Sequence, residues 1–212
     1  MREVQLREQI CLMAKSLYDR GLAHGSTGNI SARLDDGGLL VTPTNSSFGF
    51  LDPAKLSHFD AKGQLIGGDK PTKEMSLHQA FYETRGAKAG AVVHLHSHHS
   101  VALSLFEDTD KDDFLPPLTP YPIMKLGKVK LLPFFAPGDA AMGEAIRDLA
   151  GAHSAVMLAN HGPVVAGSDI ASTIYAMEEL EAAARLAIET RGQSVRGLTT
   201  DQITRLTASF SA

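Results

Sequence analysis

Tryptophan is absent from this chain and cysteine occurs once, as Cys11. A single thiol cannot close an intramolecular disulfide, and it cannot supply the several thiolates that closed structural zinc sites usually require. A basic excess is also missing: 20 Lys and Arg stand against 24 Asp and Glu, a formal net charge of -4, so nucleic acid and anionic membrane surfaces are not expected partners. No stretch approaches the roughly 18 apolar residues of a membrane span. The first thirty residues are interrupted by Arg2, Glu3, Arg7, Glu8, Lys15, Asp19 and Arg20, where a secretory leader needs an unbroken apolar run, so the cytoplasm is the expected compartment. Linkers rich in Gly, Ser or Pro, internal repeats and low-complexity segments are lacking too. One domain over residues 1–212 is therefore expected, and 43% hydrophobic against 21% charged residues is enough for it to build a core without covalent staples.

What the chain does have is a regular alternation of apolar patterns. Residues 4–20 place Leu6, Ile10, Met13, Ala14 and Leu17 at helical spacing, with Gly21 as the stop. Short segments at 29–34, 39–42, 56–60 and 64–67 read as strands of an antiparallel meander, with Asp36-Gly37-Gly38 and Lys62-Gly63 as turns. A helix is expected over 73–84 with Thr72 as its cap, followed by a buried strand over 89–97, a helix over 97–106 and a proline-containing loop to 120. Strands are expected at 121–126 and 130–135, and Gly138-Asp139 opens a helix to about residue 150. The segment 154–162 is another apolar strand ending in a His-containing turn, and 163–167 returns beside it. The longest helix is expected over 169–191, and a last short one begins at residue 200 with Thr200 or Asp201 as its cap. Helices at both ends and between strands argue an α/β fold with a central mixed sheet covered by helices.

Nine histidines are present, and five of them fall in two short segments. His94 and His96 lie at positions i and i+2, which in a strand puts both imidazoles on one face, close enough to share a cation. Histidines at a strand end are often only solvated surface, but Val92, Val93 and Leu95 make this strand buried, and buried imidazoles need partners. His98 and His99 come next as helix-starting or supporting residues. His161, at the end of the second apolar strand, is the natural third ligand. Three imidazoles with an open position describe a zinc site acting as a Lewis acid. Such a site needs a carboxylate to move protons. Glu74 is the best-placed candidate and Asp139 the alternative, although each can equally serve the N-terminus of its own helix. Two stretches, 24–31 (HGSTGNIS) and 42–47 (TPTNSS), have the glycines and hydroxyls of anion-cradling turns. With Lys70 and Lys73 beside Glu74, they make a phosphorylated substrate plausible.

Taken together, these residues resemble the class II aldolase/adducin family, the fuculose-phosphate aldolase-like sugar-phosphate lyases and epimerases. GSTGNIS, TPTNS, DKPTKE, HLHS, TPYPIM and LANHG appear in the family's order over nearly the whole chain. The resemblance implies a three-layer α/β/α fold with a largely antiparallel central sheet. It implies zinc on His94, His96 and His161, with manganese or cobalt as substitutes, and Glu74 as acid/base that also ligates the metal when substrate is absent. It further implies phosphate binding by Gly28, Asn29, Thr44, Asn45, Thr72 and Lys73. Tyr121 would reach the far end of the substrate from a neighbouring subunit of a fourfold tetramer. The chain departs from the aldolases at Lys73 and Asn45, where they usually have a small hydroxyl residue and Gly, and its tail, TASFSA, has no Tyr, whereas many of them contribute a tail aromatic to the site. TPTNSSFGFLD, GDKPTKE, FLPPLTPYPIMKLGKV and PGDAAMGE are most similar to the subgroup that decarboxylates 3-oxo-tetronate 4-phosphate. That resemblance implies a sugar-acid phosphate as substrate, with dihydroxyacetone phosphate and carbon dioxide as products. A retro-aldolase acting on a ketose or tetronate phosphate is the alternative, and an adducin-like binding module without catalysis is the alternative of another class.

Overall fold

Eight short strands hydrogen-bond into one sheet in the order β4-β3-β2-β1-β5-β8-β7-β6 in the computed structural model, which describes residues 3–210. Strands β1 (Asn29–Arg33), β2 (Leu39–Val41), β3 (Ser57–Phe59) and β4 (Leu65–Gly67) form the expected meander. The other half contains β5 (Ala91–His94), β6 (Lys130–Leu132), β7 (Ala155–Leu158) and β8 (Gly162–Gly167). Every neighbouring pair is antiparallel except β6 with β7. The sheet is thus mixed and largely antiparallel.

The period of two sorts the strand residues between two apolar layers. On one face, Ile30, Ala91, Val93, Met157 and Val165 meet Leu6, Ile10, Ala14 and Leu17 of α1 (Glu3–Asp19) and Ile174, Met177, Leu180 and Ala184 of α6 (Ile170–Glu189). On the other, Val92, Val156, Leu158 and Val164 meet Leu77 and Phe81 of α2 (Met75–Arg85) and Met142 and Ile146 of α5 (Ala141–Arg147). Helices on both faces complete three layers. Burying each of the larger side chains contributes about 1.5–3 kcal/mol. His94 shares its face with Val92, so the strand aims its imidazole into the layer that holds α2. The remaining helices are α3 (His98–Ser104), α4 (Pro120–Leu126) and α7 (Thr200–Phe210). Among the described residues no helix is long and apolar enough to cross a membrane.

Several local expectations are corrected. Residues 121–126 are not a strand but most of α4, because Pro120 occupies its first turn, where a missing N–H costs nothing, and the helix buries Pro122 and Leu126. Thr72 does not cap α2: the position before that helix is Glu74, and the Thr72 hydroxyl instead accepts the Glu74 N–H at 3.2 Å. The cap of α7 is neither Thr200 nor Asp201 but Thr199, whose Oγ1 accepts from Gln202 N–H at 3.3 Å while Gln202 Oε1 accepts from Thr199 N–H at 2.8 Å. The strand expected to reach Phe135 stops at Leu132, before Pro133. Residues 211 and 212 of the tail lie outside the described residues.

Candidate metal centre

Each histidine arrives from a different local constraint. His94 is the last residue of β5, locked between Asn29 on β1 and Val164 on β8. His96 lies just past the strand, yet backbone pairing persists through the Leu95 N–H to Pro163 C=O bond, so the period of two holds and both imidazoles face the same way. His161 sits in the three-residue turn joining β7 to β8. That turn is pinned by Ala159 N–H to Leu132 C=O at 3.1 Å and by Asn160 N–H to the Ser104 hydroxyl at 3.0 Å. Asn160 takes the left-handed conformation there, at φ 59°. Gly162 follows, and a Cβ on it would lie 2.0 Å from the Leu95 carbonyl oxygen, so only glycine lets the turn close onto the chain after His94.

The three imidazoles form a near-equilateral triangle, with ring centroids 4.9, 4.9 and 4.8 Å apart and planes steeply inclined. Glu74 closes the group. Its Oε1 lies 3.3 Å from His161 Nε2 and its Oε2 3.5 Å from His94 Nε2. One ligand atom from each of Glu74, His94, His96 and His161 lies within 4.8 Å of the others. His94 Nδ1 is 2.9 Å from the Pro163 carbonyl oxygen, which can only accept, so Nδ1 carries the proton and Nε2 presents a lone pair inward. That lone pair lies 3.1 Å from His96 Nε2. Both ring nitrogens of His161 are buried without a hydrogen-bond partner. Converging ring nitrogens, an orphaned imidazole and an adjacent carboxylate are the donor set of a divalent cation, and these residues fit one.

Electrostatics point the same way. Burial lowers the pKa of His94, with the Glu74 charge opposing, and lowers His96 to about 3 by burial and the neighbouring imidazoles, so both are neutral and ready to ligate. Burial alone would raise Glu74, but the His161 and His94 rings beside it and the amide of Asn29 outweigh burial and hold it well below the usual carboxylate range. Asn29 Nδ2 donates to Glu74 Oε2 at 2.7 Å.

Behind Asn29 lies a run of buried polar groups that the sequence did not signal as functional. His78 Nε2 lies 2.6 Å from Asn29 Oδ1, His78 Nδ1 is 2.8 Å from the Ser31 hydroxyl, and that hydroxyl is 2.8 Å from the phenol of Tyr82. Their only trace in the sequence is spacing: Glu74, His78 and Tyr82 repeat every four residues along one helical face, and Asn29 and Ser31 share a strand face.

The six positions expected to bind phosphate come together. Gly28, Asn29, Thr44, Asn45, Thr72 and Lys73 line one cavity of about 230 Å³, which also reaches Glu74 and His96, so the metal centre opens into it. Two loops of the cavity are joined by the Pro43 to Pro71 bridge and the Thr44 N–H to Lys70 C=O bond at 2.9 Å. Gly28 has φ 82°, and a Cβ there would meet the His94 carbonyl oxygen at 2.9 Å. Other candidates fall elsewhere. Asp139 is exposed, outside the cluster, and its carboxylate accepts the Ala141 N–H at 2.9 Å at the start of α5. His98 begins α3 in solvent, and His99 Nδ1 lies 2.9 Å from Glu181, a buried carboxylate that also takes the His99 and Ser100 N–H groups at the head of that helix. Tyr121 is 58% exposed on α4 and is not part of the cavity of its own chain.

Residues 8–188 match the family described as Class II Aldolase and Adducin N-terminal domain. A 3-oxo-tetronate 4-phosphate decarboxylase from Pectobacterium atrosepticum is 44% identical over 204 residues, 96% of this chain and 93% of that protein. An L-fuculose phosphate aldolase from Methanocaldococcus jannaschii is 33% identical over 86% of this chain and 95% of its own length. The crystal structure of YgbL from Escherichia coli superposes with a TM-score of 0.93 at 42% identity, covering 96% of this chain and 98% of that one.

Proposed function

The chain belongs to the class II aldolase and adducin family, and from that membership we propose that it is a carbon–carbon lyase that decarboxylates 3-oxo-tetronate 4-phosphate to dihydroxyacetone phosphate and carbon dioxide. The observation that carries the reading is that the His94, His96, His161 and Glu74 cluster reaches, through Glu74 and His96, a cavity lined by Gly28, Asn29, Thr44, Asn45, Thr72 and Lys73. The substrate bears a phosphate at one end and a carboxylate β to its ketone at the other. A cradle for the first and a metal centre for the ketone lie side by side here. The donor set of three imidazoles and a carboxylate suits zinc. When bound, the ion supplies Lewis acidity that draws electron density from the ketone as the carboxylate leaves.

The chain's own residues do the rest. Backbone N–H groups and hydroxyls of the two glycine- and threonine-containing loops hold the phosphate, with Lys73 adding a charge-assisted contact. Glu74, held ionised, is a base before it is an acid. It accepts the proton of the 2-hydroxyl as substrate settles and returns it to C2 once the C1–C2 bond has broken and its electron pair has moved onto the ketone. Solvent then restores the hydroxyl proton, so the net reaction takes up one proton and releases carbon dioxide. Asn29 keeps the carboxylate aimed inward. Incubation with 3-oxo-tetronate 4-phosphate should give dihydroxyacetone phosphate as the sole organic product. An accompanying aldehyde from other sugar phosphates would favour the aldolase reading instead.

Lys73→Ala should raise KM about tenfold, since a hydrogen bond to a charged group contributes about 1.5–3 kcal/mol and Lys73 is exposed enough to sit at the low end. Steady-state kinetics check this, and an unchanged KM would make Lys73 a solvated helix-start lysine. Tyr121, exposed and outside its own chain's cavity, supports a homotetramer in which a neighbour supplies it to the site. Sedimentation should show the tetramer, and a fully active monomer at working concentration would contradict it. The cytoplasm is the compartment this chemistry fits.

A further inference from the structure

We propose that His78 is a positioning residue for Glu74: acting through Asn29, it anchors the amide that meets the carboxylate and so fixes the carboxylate's place beside His94 and His161. The inference rests on the proposed role of Glu74 and extends it to His78, which lines neither the cavity nor the histidine cluster.

The hydrogen bonds leave little freedom. A carboxylate only accepts, so the Asn29 group 2.7 Å from Glu74 Oε2 must be the amide NH2. Asn29 Oδ1 then faces the other way, 2.6 Å from His78 Nε2, which must carry the imidazole proton. His78 Nδ1 is consequently a lone pair and accepts the Ser31 hydroxyl proton at 2.8 Å. The Ser31 oxygen in turn accepts from the Tyr82 phenol at 2.8 Å. Each link dictates the next, and Ser31 and His78 are fully buried, so water cannot repair a broken link between them. Glu74 immediately precedes α2 and His78 lies one turn into it, and Asn29 and Ser31 lie two residues apart on β1. The helix and the strand therefore hold all four groups in register. Without the His78 N–H, the Asn29 amide keeps its NH2 toward the carboxylate but loses its second anchor, and the carboxylate loses its fixed place.

The test compares His78→Leu with His78→Gln. The two replacements are similar in size and lose similar packing, but the Gln amide nitrogen reaches the place of Nε2 and keeps the donor. His78→Leu should lower kcat about 10–100-fold, the usual cost of losing a group that orients a metal-site residue. KM should change less than about threefold, and metal content should match the unsubstituted protein. His78→Gln should recover kcat to within about fivefold of the unsubstituted protein. Equal losses in both variants, full activity in His78→Leu, or a loss confined to KM would overturn the proposal. Should the Leu variant not fold, nitrogen NMR of the unsubstituted, histidine-labelled protein decides: His78 should be the Nε2–H tautomer, and an Nδ1–H tautomer would overturn the proposal. If the unsubstituted enzyme shows no decarboxylation, the functional reading fails, and the tautomer still tests the order of the hydrogen bonds.

Discussion

Glu74→Gln is expected to keep its metal and to lose turnover by about 10²–10⁴-fold, the usual contribution of a positioned acid/base. The replacement preserves size, and His94, His96 and His161 remain to ligate. What disappears is the ability to take a proton from the substrate and return it. The structure argues for this outcome because Glu74 meets two conditions at once. It is buried, so no solvent carboxylate or hydroxide easily replaces it, and the imidazoles and Asn29 beside it outweigh burial to keep it ionised and able to begin as a base. Turnover within tenfold of the unsubstituted enzyme, with full metal content, would remove Glu74 from the chemistry.

Larger still should be the effect of His94→Ala or His96→Ala, each of which is expected to abolish both metal binding and activity. His94 is fully buried and its Nε2 lies 3.1 Å from His96 Nε2, so deleting either imidazole takes one of four converging donors and leaves His161 with one neighbouring imidazole instead of two. Metal analysis of the purified variants, alongside turnover, checks this. Full turnover by a metal-free preparation of the unsubstituted chain would reject a metal-dependent reaction altogether.

How far the sequence foretold this site depends on which physical signal each part carries. His94 and His96 were legible because an i, i+2 pair in an apolar run has few other uses, and His161 because the same strand-then-turn plan repeats. The cavity loops were legible as glycines and hydroxyls beside lysines, though nothing in the linear pattern could say that residues near 28, 44 and 72 converge. That follows from the meander folding back, a nonlocal event. The His78, Ser31 and Tyr82 run was invisible for the same reason, since each of these residues is unremarkable alone and acquires meaning only when α2 lies against β1. Residues 121–126 misled because their apolar pattern suits a strand as well as a helix, and the two prolines that admit a helix start also suit an extended segment. Asp139 and Glu74 looked alike in sequence, each just ahead of a helix. The fold separates them by burying one beside three imidazoles and leaving the other in solvent.

Carboxyl-labelled 3-oxo-tetronate 4-phosphate reports which bond the enzyme breaks. On incubation with the metal-loaded enzyme, the label should leave as carbon dioxide in one-to-one proportion to the dihydroxyacetone phosphate formed. Retention of the label, together with efficient cleavage of fuculose or ribulose phosphates to dihydroxyacetone phosphate and an aldehyde, would contradict the account and make the same site that of an aldolase.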